Sequence, residues 1–225
     1  ARADTADTPE MVAARVDFLA RGHFAALDEA LAEAVSRAAA DVEGCVVDVG
    51  AGTGENLAAV LERLPERTGL ALDISKHAAR RAARAHDRIG AVVCDAWAAL
   101  PLRDGIATAV MSVFSPRNAA EFARVLAPDG ALIVAAPNPE HLAGLVGPLG
   151  MVSVDERKEE RLEATLGGHF RRVEGTRVVR ELQLSRDDAL AAAMMGPSAH
   201  HLDLDETVRR LAALGEPVAV TLSVT

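Results

Sequence analysis

Between Cys45 and Ala136, short apolar runs alternate with helical patterns, and this alternation leaves the chain few folds to choose from. The runs at 45–49, 69–73, 90–94, 106–113 and 130–136 have strand length. Amphipathic stretches near 54–64, 75–87 and 118–127 separate them. Strands joined through helices run parallel, and a parallel sheet needs helices over both faces. The expected class is therefore α/β, a Rossmann-like open sheet. Ahead of it, Thr8-Pro9-Glu10 reads as a helix start: a hydroxyl cap, a proline in the first turn and an acid beside it. Met11, Val12, Arg15, Phe18 and Leu19 follow at helical spacing up to Gly22, and a second helix runs from about Phe24 to Ala40. Beyond residue 137 the pattern loosens into a mixed region with a charged helix near 155–166. A strand at 173–183, helices at 186–195 and 205–214, and a strand at 217–224 complete the chain. The organisation expected is a helical cap or linker over 1–40 and one α/β domain over 41–225. The N-terminal helices and the 137–205 region are free to cover the ligand face.

In open α/β sheets the ligand lies beyond the C-terminal ends of the strands. After the first strand stands Val46-Val47-Asp48-Val49-Gly50-Ala51-Gly52-Thr53-Gly54. A dinucleotide site spaces its glycines G-x-G-x-x-G and a P-loop ends in G-K-[ST], so this G-x-G-x-G turn is neither. Asp73 closes the second strand, where its two oxygens suit a ribose diol, or where it caps the helix that follows. Cys94-Asp95-Ala96-Trp97 follows the third strand and suits an adenine: the acid takes the exocyclic amine, and Trp97 stacks on the ring or packs in the core. An acid, a glycine turn and two further acids in this order fit S-adenosylmethionine (SAM). The expected cofactor residues are Asp48, Gly50, Ala51, Gly52, Gly54, Asp73, Ile74, Asp95, Ala96 and Ser112. The fourth strand ends in Ser112-Val113-Phe114-Ser115-Pro116-Arg117-Asn118, either a clamp that holds a methyl acceptor flat or a proline-led helix start.

Composition narrows the partners. Half of the 225 residues are hydrophobic, no run approaches the length of a membrane span, and the polar start Ala1-Arg2-Ala3-Asp4-Thr5 is not a secretion signal. No membrane partner and a cytoplasmic location are expected. Cys45 and Cys94 are too few for a zinc site and read as thiols in a reducing compartment. A net charge of −9 argues against broad attraction to nucleic acid. Arg80, Arg81, Arg84 and Arg88, and Arg171, Arg172, Arg177 and Arg180, read as solvated faces.

With these residues in place, the chain resembles the 23S rRNA (guanine-N1)-methyltransferases of the RlmA/TlrB type, in the branch associated with macrolide resistance. The resemblance rests on Asp7-Thr8-Pro9-Glu10-Met11-Val12-Ala13-Ala14-Arg15 with Gly22-His23-Phe24, on Val113 to Asn118, on Pro137 to Leu142, and on Met195-Gly196-Pro197-Ser198-Ala199 with His201. It implies a class I SAM-dependent methyltransferase fold with a seven-stranded, mostly parallel sheet, SAM as methyl donor, and 23S rRNA as partner. Family members carry an N-terminal zinc finger that recognises RNA, and this chain starts just past that finger's place. Zinc is implied only if such a finger precedes Ala1. Glu55 and Asn56, Ser112 and His200 depart from the family pattern.

The resemblance implies substrate contacts at Arg15, Phe24, Phe114, Arg117, Ser198 and His201. The catalytic group stays unassigned, with His23, Phe114, Pro116 and His201 as candidates. Guanine N1 carries a proton that must leave, so His23, His141 and His201 are candidate bases or else structural. Phe24, Trp97 and Phe114 are the candidate stacking platforms. Two other functions fit the same residues: methylation of a small natural product, and a SAM-binding regulator without catalysis. A monomer or a homodimer is expected.

Overall fold

The computed structural model describes residues 6–155 and 157–225. Ala1–Thr5, read above as a polar start, and Glu156, read within the charged helix, lie outside the described residues. Two helices lead the chain, α1 (Pro9–Ala20) and α2 (Ala25–Ala39). Thr8 caps α1 by accepting from the Met11 N–H, and Pro9 sits in the first turn, where its missing donor costs nothing.

The sheet then builds by alternation: β1 (Cys45–Val49), α3 (Glu55–Arg63), β2 (Gly69–Asp73), α4 (Lys76–Ala82), β3 (Ile89–Val93), β4 (Ala107–Val113), α5 (Ala119–Val125) and β5 (Leu126–Ala135). All five strands are parallel, in the order β3-β2-β1-β4-β5. Chain order reverses beside β1, which places the switch point between β1 and β4. After β5 come α6 (Val146–Leu149), α7 (Lys158–Leu166), β6 (Val178–Leu184), α8 (Arg186–Met194), a 3-10 turn at Pro197–His200, α9 (Leu204–Ala212) and β7 (Val218–Val224).

β6 and β7 form an antiparallel pair. The segment after β5 ties it to the parallel sheet: Ala136 and Thr225 exchange main-chain bonds (2.8 and 3.0 Å), and Pro137 and Ala143 bridge Val224 and Thr221. The seven strands thus fall into a five-stranded parallel sheet and a two-stranded antiparallel pair held beside it, where a single seven-stranded sheet was expected.

Side-chain alternation along β1 divides the core. Val46 joins α1, α2, α3 and the late strands on one face, among Phe18, Leu31, Leu57 and Leu222. Cys45, Val47 and Val49 join Leu100, Phe122 and Val125 on the other. Phe18 and Phe122 are fully buried and anchor the two sides.

Three boundaries differ from the sequence reading. The helix expected over 75–87 ends at Ala82, because Arg88 spends its guanidinium on the carbonyls of Leu61, Leu64 and Arg67 and draws the chain into β3. The strand expected from 173 begins at Val178, the residue opposite Val224, where its partner strand ends. The Asp129-Gly130 turn lies inside β5, with Asp129 at φ 65° beside a register shift against β4.

Candidate active site

The glycine turn follows β1 and opens α3. Gly50 and Gly54 hold φ of 73° and 86°, the left-handed region where a Cβ is strained. A Cβ on Gly50 would also stand 2.4 Å from the Ser115 Cβ, and one on Gly54 2.8 Å from the Ala82 Cα. Ser115 donates to the Val49 carbonyl (2.5 Å), so the Ser112 hydroxyl donates to Ser115 (3.0 Å). That chain of bonds staples the end of β4 to the glycine turn across the switch point. Ser112 is wholly buried, and its hydroxyl serves this staple.

The acids gather as the sequence reading placed them. Asp73 Oδ2 accepts the Gly52 N–H (2.8 Å) and Oδ1 the Ser75 N–H (2.7 Å), so it braces the turn and the approach to α4, whose cap is Ser75 and not Asp73. Burial raises its pKa, against those two bonds. Asp48 is 1% exposed, and its Oδ1 is buried without a hydrogen-bond partner among the described residues. Burial, and then the Asp73 charge, push Asp48 up to about 7. Asp95 folds back on the Trp97 N–H (2.9 Å) at the end of β3, next to Ala96. Trp97 is 67% exposed, which settles its place: it is a rim residue and not core. Ala51 is packed in the core, and Ile74 is half-buried between Asp73 and Ser75.

Beyond the end of β4 the aromatic residues form a row. Phe114, at φ 53° and 40% exposed, lies 5.5 Å from His141 and 6.1 Å from Phe24 between ring centroids. Phe24 meets Phe18 edge-on at 5.4 Å, which roots the row in the core. Burial pulls His141 down to about 4, and the Ser223 N–H donates to its Nδ1 (3.4 Å). The ring is neutral near pH 7, and with Nδ1 accepting, the proton sits on Nε2. Arg117 follows the exposed Pro116, half-buried, with its Nε unpartnered among the described residues. Burial lowers the pKa of both Arg117 and Lys158. Lys158 also feels the Arg117 charge, and its own charge reaches His141. Lys158 thus lies within electrostatic reach of both His141 and Arg117.

Other expected residues are engaged elsewhere. His23 stacks on Phe18 (4.8 Å) and faces Asp188 at 3.4 Å, where Arg21 also binds. Arg21, through its ion pair with Asp188, ties the α1–α2 corner to α8. Ser198 accepts the Val152 N–H (3.0 Å) and locks the 3-10 turn, while His201 ends that turn on the surface. Arg15 does not reach the row: half-buried, it lies over the glycine turn, paired to Asp7 (2.5 Å) and donating to the Met195 carbonyl (2.6 Å). Asn56 turns away from the turn to Asp28 (2.6 Å), and the charge of the half-buried Glu55 adds to the burial that raises Asp28. Lys158 and Asp7 escaped the sequence reading as site residues. Lys158 carried a signal, being one of two lysines in the chain.

A methyl-donor cofactor fits this cradle on its own terms. A positively charged sulfonium and ammonium suit a mouth that collects Asp48, Asp73 and Asp95, above all the unpartnered Asp48 oxygen. Among the described residues no cluster of His, Cys, Asp and Glu could hold a metal ion, and no helix is long and apolar enough to cross a membrane.

Residues 46–130 match the family model described as a methyltransferase domain. The solved structure of YcgJ from Bacillus subtilis shares the fold at TM-score 0.59 and 16% identity, over 87% of this chain and 95% of that one. A protein of Micromonospora griseorubida described as a putative 23S rRNA (guanine-N(1)-)-methyltransferase is 49% identical over 97% of this chain and 78% of its own length. A Streptomyces fradiae protein described as 23S rRNA (guanine(748)-N(1))-methyltransferase is 49% identical over 98% of this chain and 79% of its own. A SAM cradle at the switch point of a class I sheet, with this identity along nearly the whole chain, makes the protein a SAM-dependent methyltransferase that belongs to the 23S rRNA (guanine-N1)-methyltransferase family.

Proposed function

We propose that the protein methylates N1 of a guanine in 23S rRNA. The observation that carries this reading is where the likeness extends. The general domain model stops at residue 130, whereas the alignment at 49% overall identity spans 97% of the chain and so extends well past that domain. We take 1–40 as a cap over the ligand face of a domain spanning 41–225, and a cytoplasmic site of action follows from a ribosomal target.

SAM supplies an activated methyl on sulfur, so the protein's work is alignment and exclusion of water. In this reading Asp73 takes the ribose, Asp95 and Trp97 frame the adenine, and Asp48 balances the donor's positive charge. Phe24, Phe114 and His141 give an unstacked guanine its flat support, because N1 is free only when the base leaves its pair. As N1 passes its proton to solvent water, negative charge spreads to O6. The neutral His141 donates through Nε2, and Arg117 and Lys158 stabilise that charge. His23 and His201 act through structure.

The test is direct. The protein with tritiated SAM and a 23S rRNA hairpin fragment should transfer label, and primer extension should stop one nucleotide before the modified guanine. Label on a small natural product with none on the rRNA would replace this reading.

A further inference from the structure

We propose that Arg15 receives the methionine carboxylate of SAM, and that Asp7 holds the same guanidinium in the ligand-free protein as a carboxylate in waiting. The inference rests on the cofactor lying at the glycine turn. Arg15 Nη1 stands 2.5 Å from Asp7 Oδ2 and 2.7 Å from where a Cβ on Gly52 would lie, so the guanidinium is in contact with the turn's backbone. Nη2 donates to the Met195 carbonyl (2.6 Å), and that bond leaves the fork's position unchanged when the partner carboxylate changes. Asp7 is itself strapped across the start of α4, its main-chain carbonyl accepting from Ser75 Oγ (2.8 Å). The charges of both Asp7 and Arg15 reach Asp73.

Charge complementarity identifies the ligand group. The mouth collects Asp7, Asp48, Asp73 and Asp95, and Arg15 is the cation lying over the glycine turn. SAM carries two positive groups and one anion, the carboxylate. The positive groups belong with the acids, and the anion belongs with the arginine. An exchange of one carboxylate for another also spares the protein a desolvated, unpaired guanidinium in the empty state. Glycine at 52 leaves the room this exchange uses.

Calorimetry on the intact protein with SAM and with decarboxylated SAM tests this. The wild type should bind SAM about tenfold or more tighter than the decarboxylated ligand, the scale of one charge-assisted hydrogen-bond pair. Arg15→Gln should erase that preference by weakening SAM alone, and Asp7→Asn should tighten SAM by removing its competitor. Equal affinity of the wild type for both ligands overturns the proposal whether or not any variant folds. So does a variant Arg15→Gln that weakens both ligands alike. Failure of the wild type to bind either ligand would instead overturn the placement of the cofactor on which the proposal rests.

Discussion

Asp48 sits with its carboxyl raised to about 7 from an ordinary 3.8, and the direction of that shift can be read out twice. In the free protein the native state keeps a proton that the unfolded chain has lost, so its contribution to stability is present below 3.8 and is lost as pH rises toward 7. His141 runs the other way: with a native value near 4 against 6.5, its contribution is lost as pH falls through that window. The two oppose each other between about 4 and 6.5. Asp48→Asn should therefore leave a protein whose stability climbs more steeply with pH than the wild type's, measured by urea denaturation across this range. The cofactor gives the second readout. A positively charged donor favours the ionised Asp48, so SAM affinity should rise through about pH 7 and level off above it. In Asp48→Asn that rise should be absent, and an unchanged pH profile would remove Asp48 from the cofactor site.

The elements that hold the acceptor end are α1, the start of α2 and the segment after β5. Phe18 is their common root: it is fully buried on α1, touches His23 and Phe24, and through Phe24 reaches Phe114 and His141. Phe18→Ala should cost about 3–5 kcal/mol in urea unfolding, the usual loss for a buried phenylalanine. Because the row leans on that ring, methyl transfer should fall before SAM affinity does. Equal losses in both would mean that Phe18 supports the domain in general and not the acceptor side. At this scale the sequence was readable where a local rule operated. The hydroxyl and proline opened α1, the apolar runs became β1 to β5, and the glycine turn fell at the end of β1. It was silent where distant groups decide. Nothing near Ala82 announces that Arg88 will reach back to three carbonyls and end α4 early. Nothing near Arg15 says that Asp7, and not the substrate, will face it. Trp97 could be core or rim by composition alone, and only the end of β3 beside the sheet's edge made it rim.

Over the whole molecule, the charge of −9 and the substrate pull in opposite directions. Many arginines are already occupied: Arg124 with Glu121 and Asp104, Arg172 with Glu159, Arg177 with Glu140, Arg209 and Arg210 with Glu206. Arg80, Arg81 and Arg84 on and just after α4 are exposed and form no ion pair among the described residues. A protein so balanced releases few counterions when it meets RNA. The logarithm of its affinity for an rRNA fragment should fall with the logarithm of salt at a slope of about −2 to −4, as for a few phosphate contacts. Filter binding between low and physiological salt measures the slope. A value near −10 would require a basic surface that these residues do not form.

The late strand β7 adds a consequence in time. Ala136 and Asn138, which lead into the segment bearing His141, are fastened by Thr225 and Ser223, residues made more than eighty positions later. During synthesis the parallel strands that frame the glycine turn are made before β7, and the ledge for the acceptor is not complete until β7 exists. Folding of that ledge therefore waits on β7.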